Sequence, residues 1–112
     1  MLEFKPFDID NDTHGYRAFE NGEIIGKSIF RINSAWVDIL SVKAANDDLL
    51  VAEGLIRSSL NFAANRGVYM ARANAGSAVS QPFETLGFSK DGDDYISDIP
   101  SALTGSCKDC GK

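Results

Sequence analysis

Asn46, Asp47 and Asp48 stand where an apolar run, WVDILSV (36–42), hands the chain to its one sustained helical pattern, LLVAEGLIRSSLNFAANRG (49–67). A strand that feeds a helix start is a common seat for an anion, because the first helical N–H groups have no intrahelical partner and the helix dipole adds partial positive charge. The side chains at this junction are of the opposite kind. Two adjacent carboxylates repel a second anion, and all three residues serve as helix caps. A capped acidic helix start and a phosphate seat built from backbone N–H groups are both open at this point.

Other residues with chemical capacity are few. His14 is the single histidine, and histidine as a residue type suits proton transfer near neutral pH. It lies in DIDNDTHG (8–15), a cluster of turn formers, where an exposed bystander is the alternative to a base. Asp38 and Glu23 are strand carboxylates. Asp38 sits among Val37, Ile39 and Leu40 and is expected to point to solvent rather than to the open side of the sheet. Arg72 suits an anion or a solvated edge. Ser77 and Ser80 are hydroxyls whose ordinary use is helix capping. Cys107 and Cys110 have CxxC spacing, but without a second pair or histidines they complete no tetrahedral zinc site within the chain.

These residues are positioned by a simple run of elements. Leu2–Phe7 reads as a first strand with Pro6 at its end or on an edge. Residues 8–15 read as loop, and Tyr16–Glu20 as a second strand. Asn21-Gly22 is a strong hairpin signal into a third strand, Glu23–Ile32, with a bulge expected at Gly26. Asn33-Ser34 turns into the fourth strand from Trp36. Asn46 or Asp47 is the expected helix cap, and Leu49, Ala52, Leu55, Ile56, Leu60, Phe62 and Ala63 form its apolar stripe, leaving Arg57, Asn61 and Arg66 to water. Val68–Ala73 reads as a fifth strand, parallel to the fourth because a long helix separates them. Ser80–Leu86 is a short helix with Pro82 in its first turn, stopped by Gly87. Phe88 and Asp94–Ile99 supply a last strand pair. The expectation is one domain over residues 1–100 and a weakly ordered tail over 101–112 that carries the CxxC.

A chain of 112 residues with a net charge of −5 and 44% hydrophobic residues fits one globular domain. That charge argues against nucleic acid and anionic membranes as partners. With no apolar run of membrane-spanning length and no signal-peptide pattern at the N-terminus, a cytoplasmic location is expected.

The element order, WVDILSV into the main helix and above all NAGSAVSQPFETLGFSKDGDDY (74–95) resemble the GNAT acyltransferase superfamily, whose closing pattern is a short aromatic-bearing helix ending in Leu-Gly-Phe. The resemblance runs from about Tyr16 to Ile99 and implies a small, degenerate member. The implied fold is α+β: a mixed, mostly antiparallel sheet with one long helix and one short C-terminal helix, without the family's usual two N-terminal helices. It implies acetyl-coenzyme A as acyl donor and a small-molecule or peptide amine as acceptor, attacking the thioester directly. The pantetheine arm would lie along the backbone of Leu40, Ser41 and Val42. The diphosphate would lie on the loop and helix start at Asp48, Leu49, Leu50, Val51 and Ala52.

Against the family's Arg/Gln-x-x-Gly-x-Gly/Ala pattern, Asp47 takes the first position, Leu50 the first glycine and Ala52 the second. Only the alanine matches. Phe83 falls where many members carry an acid-donating tyrosine, and phenylalanine has no proton to give. It is a cofactor-contact position by the resemblance and a packing residue by composition. His14, Asp38 and Ser80 are the candidate catalytic groups. The acceptor pocket is expected to stand open or to be closed by a second copy, with Trp36 and Phe30 as contacts for a homodimer or, alternatively, core residues. A non-catalytic GNAT-fold binding or interaction module that has lost coenzyme A chemistry is the competing reading.

Overall fold

A computed structural model describes residues 2–74 and 80–103 of the protein, the side chain of Ser80 excepted. The strands are β1 (Leu2–Asp8), β2 (Thr13–Glu20), β3 (Glu23–Asn33), β4 (Trp36–Ala44), β5 (Met70–Asn74), β6 (Ser89–Asp91) and β7 (Asp94–Asp98). The helices are α1 (Leu49–Ala64), α2 (Ser80–Thr85) and α3 (Ile99–Leu103). They form one seven-stranded sheet in the order β1-β2-β3-β4-β5-β7-β6. Among the described strands only β4 and β5 run parallel. This is the mixed, mostly antiparallel sheet expected from the sequence, with β1 passing straight into β2 and no helix between them.

Alternation decides which face each strand residue takes. Gly26 of β3 lies against Val51 and Leu55 of α1, and the Ser28 hydroxyl meets that of Ser59 at 2.9 Å. Register then carries the same face across the sheet, through Ala18, Val42, Phe30 and Ile39. Val51, Leu55, Ile56 and Leu60 of α1 are buried on it, as are Phe83, Leu86 and Tyr95 near the other edge. Edge strand β1 is held by Phe4, whose ring lies where a Cβ on Gly54 would sit 2.3 Å away. A side chain at that mid-helix position would push the edge strand off the core.

Turn chemistry sets the sheet's reversals. Asn21 and Gly22 both take positive φ, 53° and 86°, as the tight hairpin requires. Gly87, at φ 87°, ends α2 in a Schellman motif: Phe88 N–H donates to the Phe83 carbonyl and Gly87 N–H to that of Glu84. The Leu-Gly-Phe triplet thus has a mechanical role. Glycine makes the left-handed turn that leaves Leu86 and Phe88 both buried.

Several sequence expectations are corrected. Residues 8–15 are not one loop: β1 runs to Asp8 and β2 starts at Thr13. The Asp10 carboxylate accepts from the N–H groups of Asp12 (2.9 Å) and Thr13 (2.8 Å), so a four-residue turn suffices. Those bonds hold its pKa below the ordinary carboxylate value. The bulge opposite Ala18–Phe19 places the extra residue at Ile25, beside Gly26 rather than on it. Strand β5 starts at Met70, because Val68 N–H is used to close α1 on the Ala63 carbonyl. Arg57 is half-buried and donates to the Leu103 carbonyl. The tail does not begin at residue 101: Ile99–Leu103 is helical, with Ile99 and Ala102 fully buried. Cys107 and Cys110 lie outside the described residues.

The Ser28–Ser59 contact yields a test. Ser59 donates to the Leu55 carbonyl at 2.8 Å, so Ser28 donates to Ser59. Ser59→Ala leaves the fully buried Ser28 hydroxyl without that acceptor and is expected to cost about 1–3 kcal/mol, more than Ser28→Ala. The double variant, which removes both hydroxyls, should recover part of that loss. Urea unfolding of the three variants checks the order.

Candidate functional site

Strands β4 and β5 are in register only from Trp36↔Met70 to Ile39↔Ala73. Beyond that point no described strand lies along the β5-facing edge of β4. The departure coincides with a bulge. Phe30 pairs Ile39 and Ile29 pairs Ser41, which leaves Leu40 as an extra residue on β4. A bulge adds twist and frees a backbone segment from the ladder, and Leu40 is 40% exposed. Two cavities open along this parting. One of about 270 Å³ sits at its apex, lined by Asp38, Ile39, Leu40, Arg72, Asn74 and Asp94. The other, about 290 Å³, lies further along β4 against the start of α1, lined by Val42, Lys43, Ala44, Asp47, Leu49 and Ala52.

The junction from β4 to α1 is a single 3-10 turn, Ala45–Asp47, followed by Asp48 as the α1 N-cap. Asn46 and Asp47, the caps expected from the sequence, both take positive φ (58° and 52°). That left-handed backbone turns the chain and removes them from the capping position. Asp48 is extended, and its Oδ1 accepts from the N–H groups of Leu50 at 3.0 Å and Val51 at 3.3 Å. Two of the donors that an external anion would use are therefore already bonded to a carboxylate.

At the apex, Asp38 and Arg72 are neighbours in the parallel register, and Arg72 Nε donates to Asp38 Oδ1 at 2.8 Å. The bond to Asp38, followed by its charge, raises the Arg72 pKa further above an already high value. The same guanidinium stands 5.0 Å over the Trp36 ring. Asp38 thus does not simply face water. It is held on the face opposite α1, at the mouth of the cleft.

The remaining expected site residues divide. Leu40 and Val42 line the cavities, as do Leu49 and Ala52. Ser41 pairs Ile29 on the face away from α1. Leu50, in place of a family glycine, is 77% exposed, and Val51 is a core residue. Phe83 is fully buried, stacked on Tyr95 at 5.7 Å and edge-on to Phe88 at 5.1 Å. It presents no surface to a ligand, so the packing role is the one it has. Phe30 is likewise fully buried and cannot serve a subunit interface. Ser80 begins α2.

His14 is corrected on two counts. It lies in β2 rather than in a loop, and it is buried. Its Nδ1 is 2.7 Å from Asp8 Oδ1, and its ring packs on Phe62 of α1 at 4.7 Å. Phe30 of β3, its register partner, stands between it and β4. His14 is a packed core residue away from the cleft.

Sequence reasoning passed over Lys43, Asn74 and Asp94 as wall residues, and it treated Asp38 and Arg72 separately. The Asp38–Arg72 pairing depends on where β5 starts, which the Schellman closure of α1 decides. Among the described residues no three His, Cys, Asp or Glu side chains gather to hold a metal. No described helix is long and apolar enough to cross a membrane.

No family model matches the sequence, and no curated protein matches it. Solved structures do. A protein from Desulfovibrio desulfuricans described as an acetyltransferase of the GNAT family superposes with a TM-score of 0.67 at 14% identity, over 79% of this chain and 70% of that one. This is the GNAT fold. The PaiA N-acetyltransferase of Thermoplasma acidophilum, solved with coenzyme A, aligns at TM-score 0.62 and 19% identity over 76% of this chain and 58% of its own. A protein from Bacillus anthracis described as a streptothricin acetyltransferase, solved with acetyl-coenzyme A, aligns at 0.63 and 17% over 78% and 60%. The GNAT frame here runs on less chain than these neighbours use.

The cap is directly testable. Asp48→Ala removes the acceptor for Leu50 and Val51 N–H and is expected to lower stability by about 1 kcal/mol, whereas Asp48→Asn keeps a capping oxygen and stays within a few tenths. Thermal melts of the two variants give the comparison.

Proposed function

We propose that the chain is a small GNAT-type N-acetyltransferase that takes acetyl-coenzyme A as donor and an amine as acceptor. The observation that carries this reading is the parting of β4 from β5 after Ile39, with one cavity at its apex and another against the start of α1. An unpaired strand edge offers alternating N–H and C=O groups, which match the amides of a pantetheine arm. Residues 40–42 of β4 would hold that arm, and a β4 N–H would polarise the thioester carbonyl. Catalysis of this kind comes from positioning and fixed dipoles more than from acid–base groups. Of the two candidate catalytic residues whose side chains are described, His14 and Asp38, Asp38 lines the cleft. One of its oxygens is bonded to Arg72, which leaves the other to receive the proton of an attacking amine. The acceptor is an amine of either a small molecule or a peptide.

The diphosphate end fits less well. The Asp48 carboxylate accepts from Leu50 and Val51 N–H, and Asp47 adds a second negative charge to the cavity wall. Coenzyme binding is accordingly weak and selects for displacement of that cap. This same observation favours the second reading, a GNAT-fold binding module without coenzyme A chemistry.

Calorimetry or thermal shift with acetyl-coenzyme A and coenzyme A separates the two. Ligand at ~100 times its dissociation constant stabilises by about 2.7 kcal/mol, and no shift at millimolar ligand overturns the transferase reading. Asp47→Asn with Asp48→Asn removes two like charges, each worth about 1 kcal/mol at close range in water-like surroundings. The double variant should bind coenzyme A on the order of thirtyfold more tightly. Unchanged affinity would place the phosphates elsewhere.

A further inference from the structure

The sheet face opposite α1 carries a pattern the acyl-transfer reading does not use. Lys5 pairs Arg17, Arg17 pairs Lys27, and Lys27 pairs Lys43. Residues in register share a face, so four cations stand in one row across β1 to β4. At about 4.8 Å per strand the row is roughly 15 Å long. Like charges directly opposite one another on a sheet are destabilising, so a run of four is an expensive arrangement for a fold to carry. Among the described residues none of the four has a carboxylate partner within salt-bridge distance. Lys5 lies 5.5 Å over the Phe19 ring and Arg17 4.0 Å over the Phe7 ring, which holds both cations over the face. Arg31 lies on the same face. Five of the chain's 11 cations thus collect on the β1–β4 half of one face of a protein whose net charge is −5.

A second copy laid face to face by a two-fold axis through the row would set cations against cations. The row's surroundings argue against broad or planar polyanions. The hairpin tip carries Glu20 and Glu23, and the opposite end carries the acidic turn Asp8, Asp10 and Asp12, all exposed. A bilayer or a duplex broad enough to cover the face along the strands as well as across them would meet those carboxylates. A short acidic peptide segment would not. In extended form its alternate side chains lie about 6.6–6.8 Å apart on one side, which suits a row of flexible lysines. We propose that this face is a docking surface for an acidic polypeptide segment, held by Lys5, Arg17, Lys27 and Lys43. The row ends at Lys43, which also walls the cavity beside α1, so the docked segment is led to the cleft. The inference holds whether or not coenzyme A binds.

The experiment is fluorescence anisotropy of a fluorescein-labelled hexaglutamate peptide titrated with the full chain at low salt. Saturable binding is expected, weakening as salt rises and absent for labelled hexaglutamine. Lys5→Gln with Lys27→Gln should weaken it at least tenfold without lowering the Tm, since both side chains are exposed and like-charge contacts are relieved. Arg66→Gln with Lys90→Gln makes the same change in net charge off the row and should leave binding within twofold. Coenzyme A affinity, read separately, should not move in the Lys5/Lys27 variant, so failure here is distinct from failure of the transferase reading. No hexaglutamate binding at millimolar protein, equal losses in both double variants, or tighter binding of oligo(dT) or phosphatidylserine vesicles than of hexaglutamate would each overturn the proposal.

Discussion

The whole molecule depends on the crossover from β4 through α1 to β5. A helix that leaves one strand and returns to begin its parallel neighbour must lie on a single face of the sheet. Here it does so by seating Val51 and Leu55 against Gly26 and Ser59 against Ser28. That packing fixes where α1 starts and where it ends. The start lies beyond Ala44, so β4 overshoots the four residues it pairs with β5. The end lies at Ala64, closed by the turn through Gly67, so β5 is delayed to Met70. Bulging at Leu40 then turns β4 away from its neighbour. The cleft is a consequence of these three events, and side-chain chemistry is added to it afterwards.

Electrostatics at the two ends of that cleft oppose one another. At the α1 end the carboxylate of Asp48 satisfies helix N–H groups that an anion would otherwise need. The arrangement stabilises the helix by the same dipole interaction that would bind a phosphate. At the apex an ion pair between Asp38 and Arg72 stands half exposed over Trp36. Exposure limits its worth to stability. Its effect is positional: it sets a carboxylate and a guanidinium at the mouth of the gap with defined orientation.

The unequal faces of the sheet follow from the short connection between β1 and β2. Four residues reverse the chain, and nothing in the described residues packs over Phe7, Phe19, Ile29 and Trp36 as α1 packs over the other side. These side chains are half-buried by one another and by the cations that lie on them. Lysine and arginine cover apolar surface with their stems while their charged heads stay in water. The price of that solution is the repulsion within the row Lys5, Arg17, Lys27 and Lys43.

Much of this architecture is legible in the residues themselves. Asn21-Gly22, the apolar stripe of α1, Gly67 and Gly87 each specify a local geometry that few alternatives satisfy, and together they determine the hairpin from β2 to β3, the parallel crossover from β4 to β5 and the stop of α2. The family resemblance, rather than any local rule, is what pointed to residues 40–42 and 48–52 as a stretch to meet a coenzyme. What local rules did not decide was anything set by contacts distant in sequence. Asp48 rather than Asn46 caps α1 because a 3-10 turn intervenes. His14 is buried because its strand pairs with β3 beneath Phe62. Ile99 and Ala102 join the core because α1 offers them a surface. Asp38 meets Arg72 only through the β4–β5 register, and four cations scattered over residues 5–43 become a row only when four strands align. Periodicity and turn chemistry are properties of neighbouring residues, so the sequence alone determines them. Register and burial are properties of the packed sheet, and only the tertiary structure decides those.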